Sequence, residues 1–232
     1  MKIPAMKNKT KVVALLPMKG NSERIPNKNL KIFSGKPLYH HILTELLQSK
    51  FIDEVIINTD SAKIAENVNC HFSNQNIRIV KRLPSICGDY VSMNKIIEQD
   101  INNSDGDIYI QTHSTNPNLR QETIDEALDF FMGCSKYDSV FSVNRLQSRF
   151  YNSDGKAMNH NPSNLLRTQD LDPIFEENSN FYVFTRESFH NAGNRRIGLN
   201  PYLFEIGKLE SMDIDNLENF IIAEAVFNHI YT

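Results

Sequence analysis

The chain of 232 residues is 40% apolar and 23% charged, the composition of a soluble globular protein long enough to bury a large core in one domain. Its formal net charge of −3 excludes a general nucleic-acid or membrane-surface binder, so an anion site must be a local concentration of basic groups. Three cysteines, Cys70, Cys87 and Cys134, are odd in number, widely spaced and without a CxxC, which predicts buried reduced thiols and no disulfide framework. No apolar run approaches the roughly 18 residues of a membrane span. The opening MKIPAMKNKTK leads to an apolar run with no small-residue cleavage site, so no signal peptide and a cytoplasmic protein are expected.

Taken in chain order, short β-branched runs alternate with helical patterns. KVVALLP (11–17) reads as a buried strand and is followed by a basic loop. KPLYHHILTELLQS (36–49) predicts a helix with Pro37 in its first turn and Leu38, Ile42, Leu43, Leu46 and Leu47 along one face. His40 and His41 are adjacent on that helix, point apart, and read as structural. EVIINTD (54–60), IRIVKR (77–82) and GDIYIQT (106–112) are further strands, separated by the helical patterns SAKIAENV, VSMNKIIEQDI and RQETIDEALDFFM. This rhythm predicts an α/β fold, a mostly parallel sheet with helices on both faces, in a single domain spanning 1–232. Ligands bind such sheets beyond the carboxyl ends of the strands. The informative stretches here begin at those ends: Pro17, Asp60, Arg82 and Thr112.

Periodicity fails over 144–178, a polar stretch too long for an idle loop, and a lid or subunit contact is expected there. NFYVFT then restarts the sheet, and ENFIIAEAVFNHI predicts a final amphipathic helix.

The basic loop, KGNSERIPNKN, is neither a GxxxxGK[ST] loop nor a GxGxxG turn, yet it has the makings of a phosphate cradle. Lys19, Arg24 and Lys28 can oppose several phosphate charges, Gly20 permits close backbone approach, and Asn21, Ser22 and Asn29 offer neutral donors. Charge alone is equally consistent with a solvated surface loop. Placement directly after the first strand of a parallel sheet favours a nucleoside triphosphate.

These residues resemble the CMP-sialic acid synthetase family (acylneuraminate cytidylyltransferases), whose signature runs R-x-G/N-S-K-x-x-P-x-K-N, and also the related CMP-Kdo synthetases. VIINTDSAKIAE, RLPSICGD, QTHSTNP, RTQDLDPIFEENSNFYVF and ESMDIDNLENFIIAE are similar to later family motifs in the same order, so the resemblance covers nearly the whole chain. It implies transfer of CMP from CTP to the anomeric hydroxyl of an α-keto acid sugar, with release of pyrophosphate. It also implies a nucleotide-diphospho-sugar transferase type of fold, Mg²⁺ (or Mn²⁺) as cofactor and a homodimer joined through 144–178.

Carried over by position, Met18, Lys19, Gly20, Asn21, Ser22, Arg24, Lys28 and Asn29 would face the triphosphate, with Lys19, Arg24 and Lys28 the catalytic cations. Arg82, Asp89 and Ser92 would hold the nucleoside. His113, Thr115 and Asn116 would reach the sugar, helped by Gln169, Asp170, Asn178 and Tyr182. Asp213 and Asp215 would bind the metal. In MDIDN the acidic residues alternate, so on an extended segment both carboxylates share one side while Ile214 faces the core. Asp215 with Glu218 could equally form a capping box for the last helix.

Departures from the family pattern are informative. Lys19 stands for an Arg, keeping the charge but losing the fork. Glu23 stands where Lys is common. His113 replaces a Gln and Ser179 a Gly, both on the sugar side, which leaves sialic, legionaminic and pseudaminic types open. Two rival readings remain: a glycosyltransferase using Asp213–Asp215 as its DxD, and a non-catalytic nucleotide-binding relative.

Overall fold

The apolar run after Lys11 forms β1 (Val12–Leu15), every residue of which is buried. Val12 and Ala14 enter one apolar cluster while Val13 and Leu15 enter another, the two-residue period of a strand covered on both faces. The structure, a computed structural model, describes residues 10–231. The expectation drawn from the opening MKIPAMKNKTK falls mostly outside them.

After the basic loop the chain makes a small hairpin, β2 (Ile32–Phe33) and β3 (Lys36–Pro37), and enters α1 (Leu38–Gln48). Then come β4 (Ile52–Thr59), α2 (Ala62–His71), β5 (Ile77–Lys81), α3 (Met93–Asn102), β6 (Ile108–Thr112) and α4 (Gln121–Gly133). The remainder comprises β7 (Ser139–Leu146), β8 (Ile174–Thr185), α5 (Arg186–Asn191), β9 (Pro201–Glu205) and α6 (Leu217–Tyr231). Seven strands form one sheet in the order β5-β4-β1-β6-β8-β7-β9. Its first four are parallel, β8 runs antiparallel to both β6 and β7, and β7 is parallel to β9. The expected mostly parallel sheet is therefore the one found. No helix among the described residues is long and apolar enough to cross a membrane.

Several expectations need correction. Strand β7 and the first half of β8 lie partly inside the stretch expected to be irregular: Asn144 pairs with Glu176 and Leu146 with Ile174. Asn144 is buried but polar, while Arg145, Phe175 and Glu176 are exposed, so these rungs carry no alternating apolar pattern. The irregular excursion is therefore 147–173, ordered by a Tyr151–Ala157 bridge and a 3-10 turn at Thr168–Asp170. The cysteines are free, as expected, but not buried: Cys70 is exposed, and Cys87 and Cys134 are half-buried. Pro37 sits just before α1 and not within its first turn.

His40 and His41 are buried and bonded, to Asn67 Oδ1 at 2.9 Å and Phe33 O at 2.8 Å. Burial lowers the pKa of both, which suits a structural role.

A third, smaller apolar cluster positions the site. It joins Ile25 of the basic loop, Phe33 and Leu38 to Ile214, Phe220 and Ala223. One buried isoleucine, Ile25, thereby ties the basic loop to the acidic segment 189 residues further along the chain, at Ile214.

Candidate active site

β1 passes to β4 on one side while β6 lies on the other, and a crevice at such a switch opens at the carboxyl ends of the strands. A cavity of about 390 Å³ occupies this place. Its walls come from the ends of β1, β5 and β6 and from the segment before α6.

The basic loop supplies Met18, Lys19, Ser22, Lys28 and Asn29 to the wall. Asn27 precedes Lys28 in the left-handed conformation (φ 54°), which Asn tolerates better than most residues. Lys28 Nζ donates to Ile214 O at 2.6 Å. Burial lowers the Lys28 pKa, opposed by the nearby Asp213 and Asp215. Asn29 is occupied at both ends of its amide: Nδ2 donates to Lys19 O at 2.8 Å and Oδ1 accepts from Ser114 Oγ at 2.6 Å. It thus fixes the loop against the end of β6. The Gly20 N–H donates to Asp60 Oδ1 at 2.6 Å, and a Cβ there would stand 2.7 Å from Ser61 Cβ, so this approach requires glycine.

The next wall carries Arg82, Gly88, Asp89, Val91, Met93 and Ile96, an apolar surface with polar ends. Arg82 is buried, its Nε donating to Asn58 Oδ1 at 2.9 Å and its Nη2 to Asn58 O at 3.0 Å and Met18 O at 3.2 Å. Asp89 pairs with Lys19 at 2.5 Å, and that lysine holds its carboxyl below the usual range. Ser92 caps α3 and lies outside the cavity lining.

Asp213 and Asp215 both line the cavity, on either side of buried Ile214, but the segment belongs to no strand. Instead Ile214 N donates to Thr115 O at 2.9 Å, which anchors it to the loop after β6. Burial raises the Asp213 pKa, the Thr115 hydrogen bond opposes this, and Asp215 adds to the rise. Asp213 Oδ1 is buried and has no hydrogen-bond partner among the described residues. Asp215 pairs with Arg24 at 3.0 Å. The cap of α6 is Asn216, whose Oδ1 accepts from Asn219 N at 2.9 Å, so Asp215 is free of the capping role.

His113, Ser114, Thr115, Ser179 and Arg196 form the far wall. Burial, then the charges of Arg196 and Lys28, push the His113 imidazole down to about 3, so it is neutral at ordinary pH. Ser179 has φ 57°, a backbone that glycine adopts freely, which gives the family's Gly at this position a physical reason.

The remaining residues singled out from sequence lie off the cavity. Gly20, Asn21 and Arg24 sit on the loop behind its lining. Asn116 is fully buried with both amide atoms unpartnered among the described residues. Asn178 accepts from Asn180, and Tyr182 is fully buried beneath Arg196. Gln169 and Asp170 are exposed on the excursion, where Asp170 is engaged by Arg167 at 2.7 and 3.0 Å. Arg196 was not visible from sequence: NRRIGLN has no periodicity, and only the fold of the α5–β9 loop brings it to the cavity.

Cations and paired carboxylates converge here at the switch point of an α/β sheet, the place where such folds bind their ligands. A family model described as cytidylyltransferase matches residues 13–220, and the chain belongs to that family. It is similar to the N-acylneuraminate cytidylyltransferase of Oncorhynchus mykiss, with 31% identity over 79% of this chain and 43% of the relative. It is also similar to the CMP-N,N'-diacetyllegionaminic acid synthase of Legionella pneumophila, with 25% identity over 92% of this chain and 95% of that one. The chain spans about half the length of most of the curated relatives it matches. Among solved structures, a CMP:2-keto-3-deoxy-manno-octonic acid synthetase complexed with CTP shares the fold, with TM-score 0.68, 17% identity and coverage of 95% and 99%. A 4-diphosphocytidyl-2C-methyl-D-erythritol synthase from Anaerococcus prevotii does likewise, with TM-score 0.68, 11% identity and coverage of 94% and 96%.

Proposed function

We propose that the chain transfers CMP from CTP to the anomeric hydroxyl of an α-keto acid sugar of the sialic or legionaminic type, releasing pyrophosphate. The observation that carries this reading is one cavity in which Lys19 and Lys28 share the wall with Asp213 and Asp215, beside His113, Thr115 and Arg196. In the reaction the sugar oxygen bonds to the α-phosphorus, the bond to pyrophosphate breaks, and the hydroxyl proton passes to water. Negative charge moves onto the leaving group, so catalysis is mainly positioning and charge neutralisation. Lys19 and Lys28 oppose the phosphates, and the wall of Val91, Met93 and Ile96 takes the nucleoside beside Arg82.

Among the described residues no group of three His, Cys, Asp or Glu could hold a metal alone. The donor set fits Mg²⁺ or Mn²⁺ nonetheless: Asp213 brings an unpartnered buried oxygen, Asp215 stands beside it, and such ions take their other ligands from water and phosphate. Bound there, the metal would supply positive charge to the phosphates and acidify the attacking hydroxyl. A homodimer joined through the excursion belongs to the same reading.

The test is to incubate the chain with CTP, Mg²⁺ and a panel of eight- and nine-carbon keto acids, measuring pyrophosphate. Release that depends on one of these acids is expected. Equal release with UTP or ATP, or none with any acid, would overturn the reading.

A further inference from the structure

Arg196 comes to the cavity from the opposite side of β6 to Lys19 and Lys28. Those lysines follow β1, whereas Arg196 rests on β6 through Gln111 and on β8 through Tyr182. Its guanidinium lies 3.6 Å from the centre of the Tyr182 ring, and Nη2 donates to the Tyr182 hydroxyl at 2.9 Å. Nη1 donates to Gln111 Oε1 at 2.7 Å and faces His113 Nε2 at 3.2 Å. A guanidinium can only donate, so Nε2 accepts and His113 carries its proton on Nδ1. These contacts fix the plane of the group before any ligand arrives.

Its charge is only partly cancelled, by Glu177 alone among the described residues. Gln111, His113 and Tyr182 are neutral partners, and burial keeps His113 so. The Glu177 carboxylate stands 3.6 Å away and already accepts from the Tyr182 hydroxyl. A guanidinium stays charged in any protein, and this side chain is only 18% exposed. A flat, immobilised, half-neutralised cation facing a cavity is a receptor for a planar anion, because a carboxylate matches the guanidinium fork in shape as well as in sign.

We propose that Arg196 receives the carboxylate of the acceptor, and so selects a 2-keto acid sugar over neutral acceptors, with Tyr182 as its positioning residue. This rests on the function proposed above. The phosphate cations on the β1 side leave Arg196 for the second substrate. An acceptor phosphate shares the anion chemistry but not the planarity.

The experiment compares three acceptors with CTP and Mg²⁺: the acid sugar, its carboxamide, and a phosphorylated polyol. The parent should prefer acid to carboxamide by more than about tenfold in kcat/KM, as a charge-assisted pair is worth. Arg196→Gln should lose about ten- to a hundredfold on the acid alone, bringing that ratio near one, while CTP affinity stays within about twofold. Arg196→Lys should fall between, keeping charge without the fork. Tyr182→Phe keeps the ring and removes only the hydroxyl; it should raise KM for the acid and leave the carboxamide unaffected. It thereby serves as an independent arm should Arg196→Gln fold poorly. Undiminished acid preference in Arg196→Gln, or equal losses on acid and carboxamide, would overturn this assignment alone. Turnover of the phosphorylated polyol with no acid sugar accepted would overturn the proposed function and this inference with it.

Discussion

Asp215 is the observed partner of Arg24 and the proposed ligand of a metal, and the two roles predict different kinetics. The Arg24–Asp215 pair spans 3.0 Å with both side chains at least half exposed, so removing it should change stability by less than about 1 kcal/mol. Asn216 caps α6, so Asp215→Asn leaves the helix start intact. The variant is expected to melt with the parent, lose about ten- to a hundredfold in kcat/KM, and regain part of that at raised Mg²⁺ or Mn²⁺. If Asp215 serves only Arg24, then Asp215→Asn and Arg24→Gln will lose equally and added metal will restore neither. Asp213 and Asp215 were singled out by the family resemblance, whereas Lys19 and Lys28 were legible in the sequence because charge is dense there and follows the end of β1. Arg196 was not, since its neighbours Gln111 and Tyr182 are 85 and 14 residues away along the chain.

α3, β4 and the end of β5 meet in a buried polar chain. Asp100 on α3 is fully buried; its Oδ1 accepts from Asn58 Nδ2 at 2.6 Å, and Asn58 Oδ1 accepts from Arg82 Nε at 2.9 Å. Burial pushes the Asp100 carboxyl up to about 7, against the Asn58 hydrogen bond and the charges of Arg82 and Arg78. An unfolded Asp releases its proton near pH 4, so between about 4 and 7 the folded state binds the extra proton. Through this group, stability falls as pH rises across that window. His113 acts oppositely, because its folded value near 3 lies below the unfolded 6.5 and stability through it falls as pH drops. The two flatten the parent's own profile, so the difference between parent and variant is the useful quantity. Asp100→Asn cannot ionise, and its urea midpoint relative to the parent should rise from about pH 5 to about pH 7 and level off above that. A constant difference would mean that Asp100 is ionised throughout. The same region shows why the first half of the fold could be read directly: β1 and the central residues of β4 and β6, Val55–Ile57 and Ile108–Ile110, are buried and apolar. β9 lies at the sheet edge, and the last residues of β7 and the first of β8 are partly or fully exposed, so burial writes no apolar pattern into the chain there.

At the scale of the molecule, the excursion 147–173 has internal order but little cover. Asn159 Nδ2 donates to Ser148 O at 2.7 Å and Asp172 O at 3.1 Å, and Arg149 Nη2 donates to Leu166 O at 2.6 Å, so the backbone is held in place. Yet Leu165 is 74% and Met158 61% exposed, with Tyr151 and Leu166 also open. An ordered segment that displays several large apolar side chains is the usual mark of an interface. Gln169 and Asp170 ride on the same segment, outside the lining of their own cavity, so a second copy is the arrangement that would give them a substrate to touch. Light scattering at micromolar concentration should therefore report a dimer. Leu165→Asp with Leu166→Asp should split it, because each places an unpaired charge where an apolar contact is proposed. If the excursion serves the partner's sugar site, the split form should still bind CTP as the parent does, while kcat/KM for the acid sugar drops by at least about tenfold, as loss of a charge-assisted contact implies. A parent that is monomeric at these concentrations, or a split form with undiminished turnover, would show that the excursion acts within its own chain.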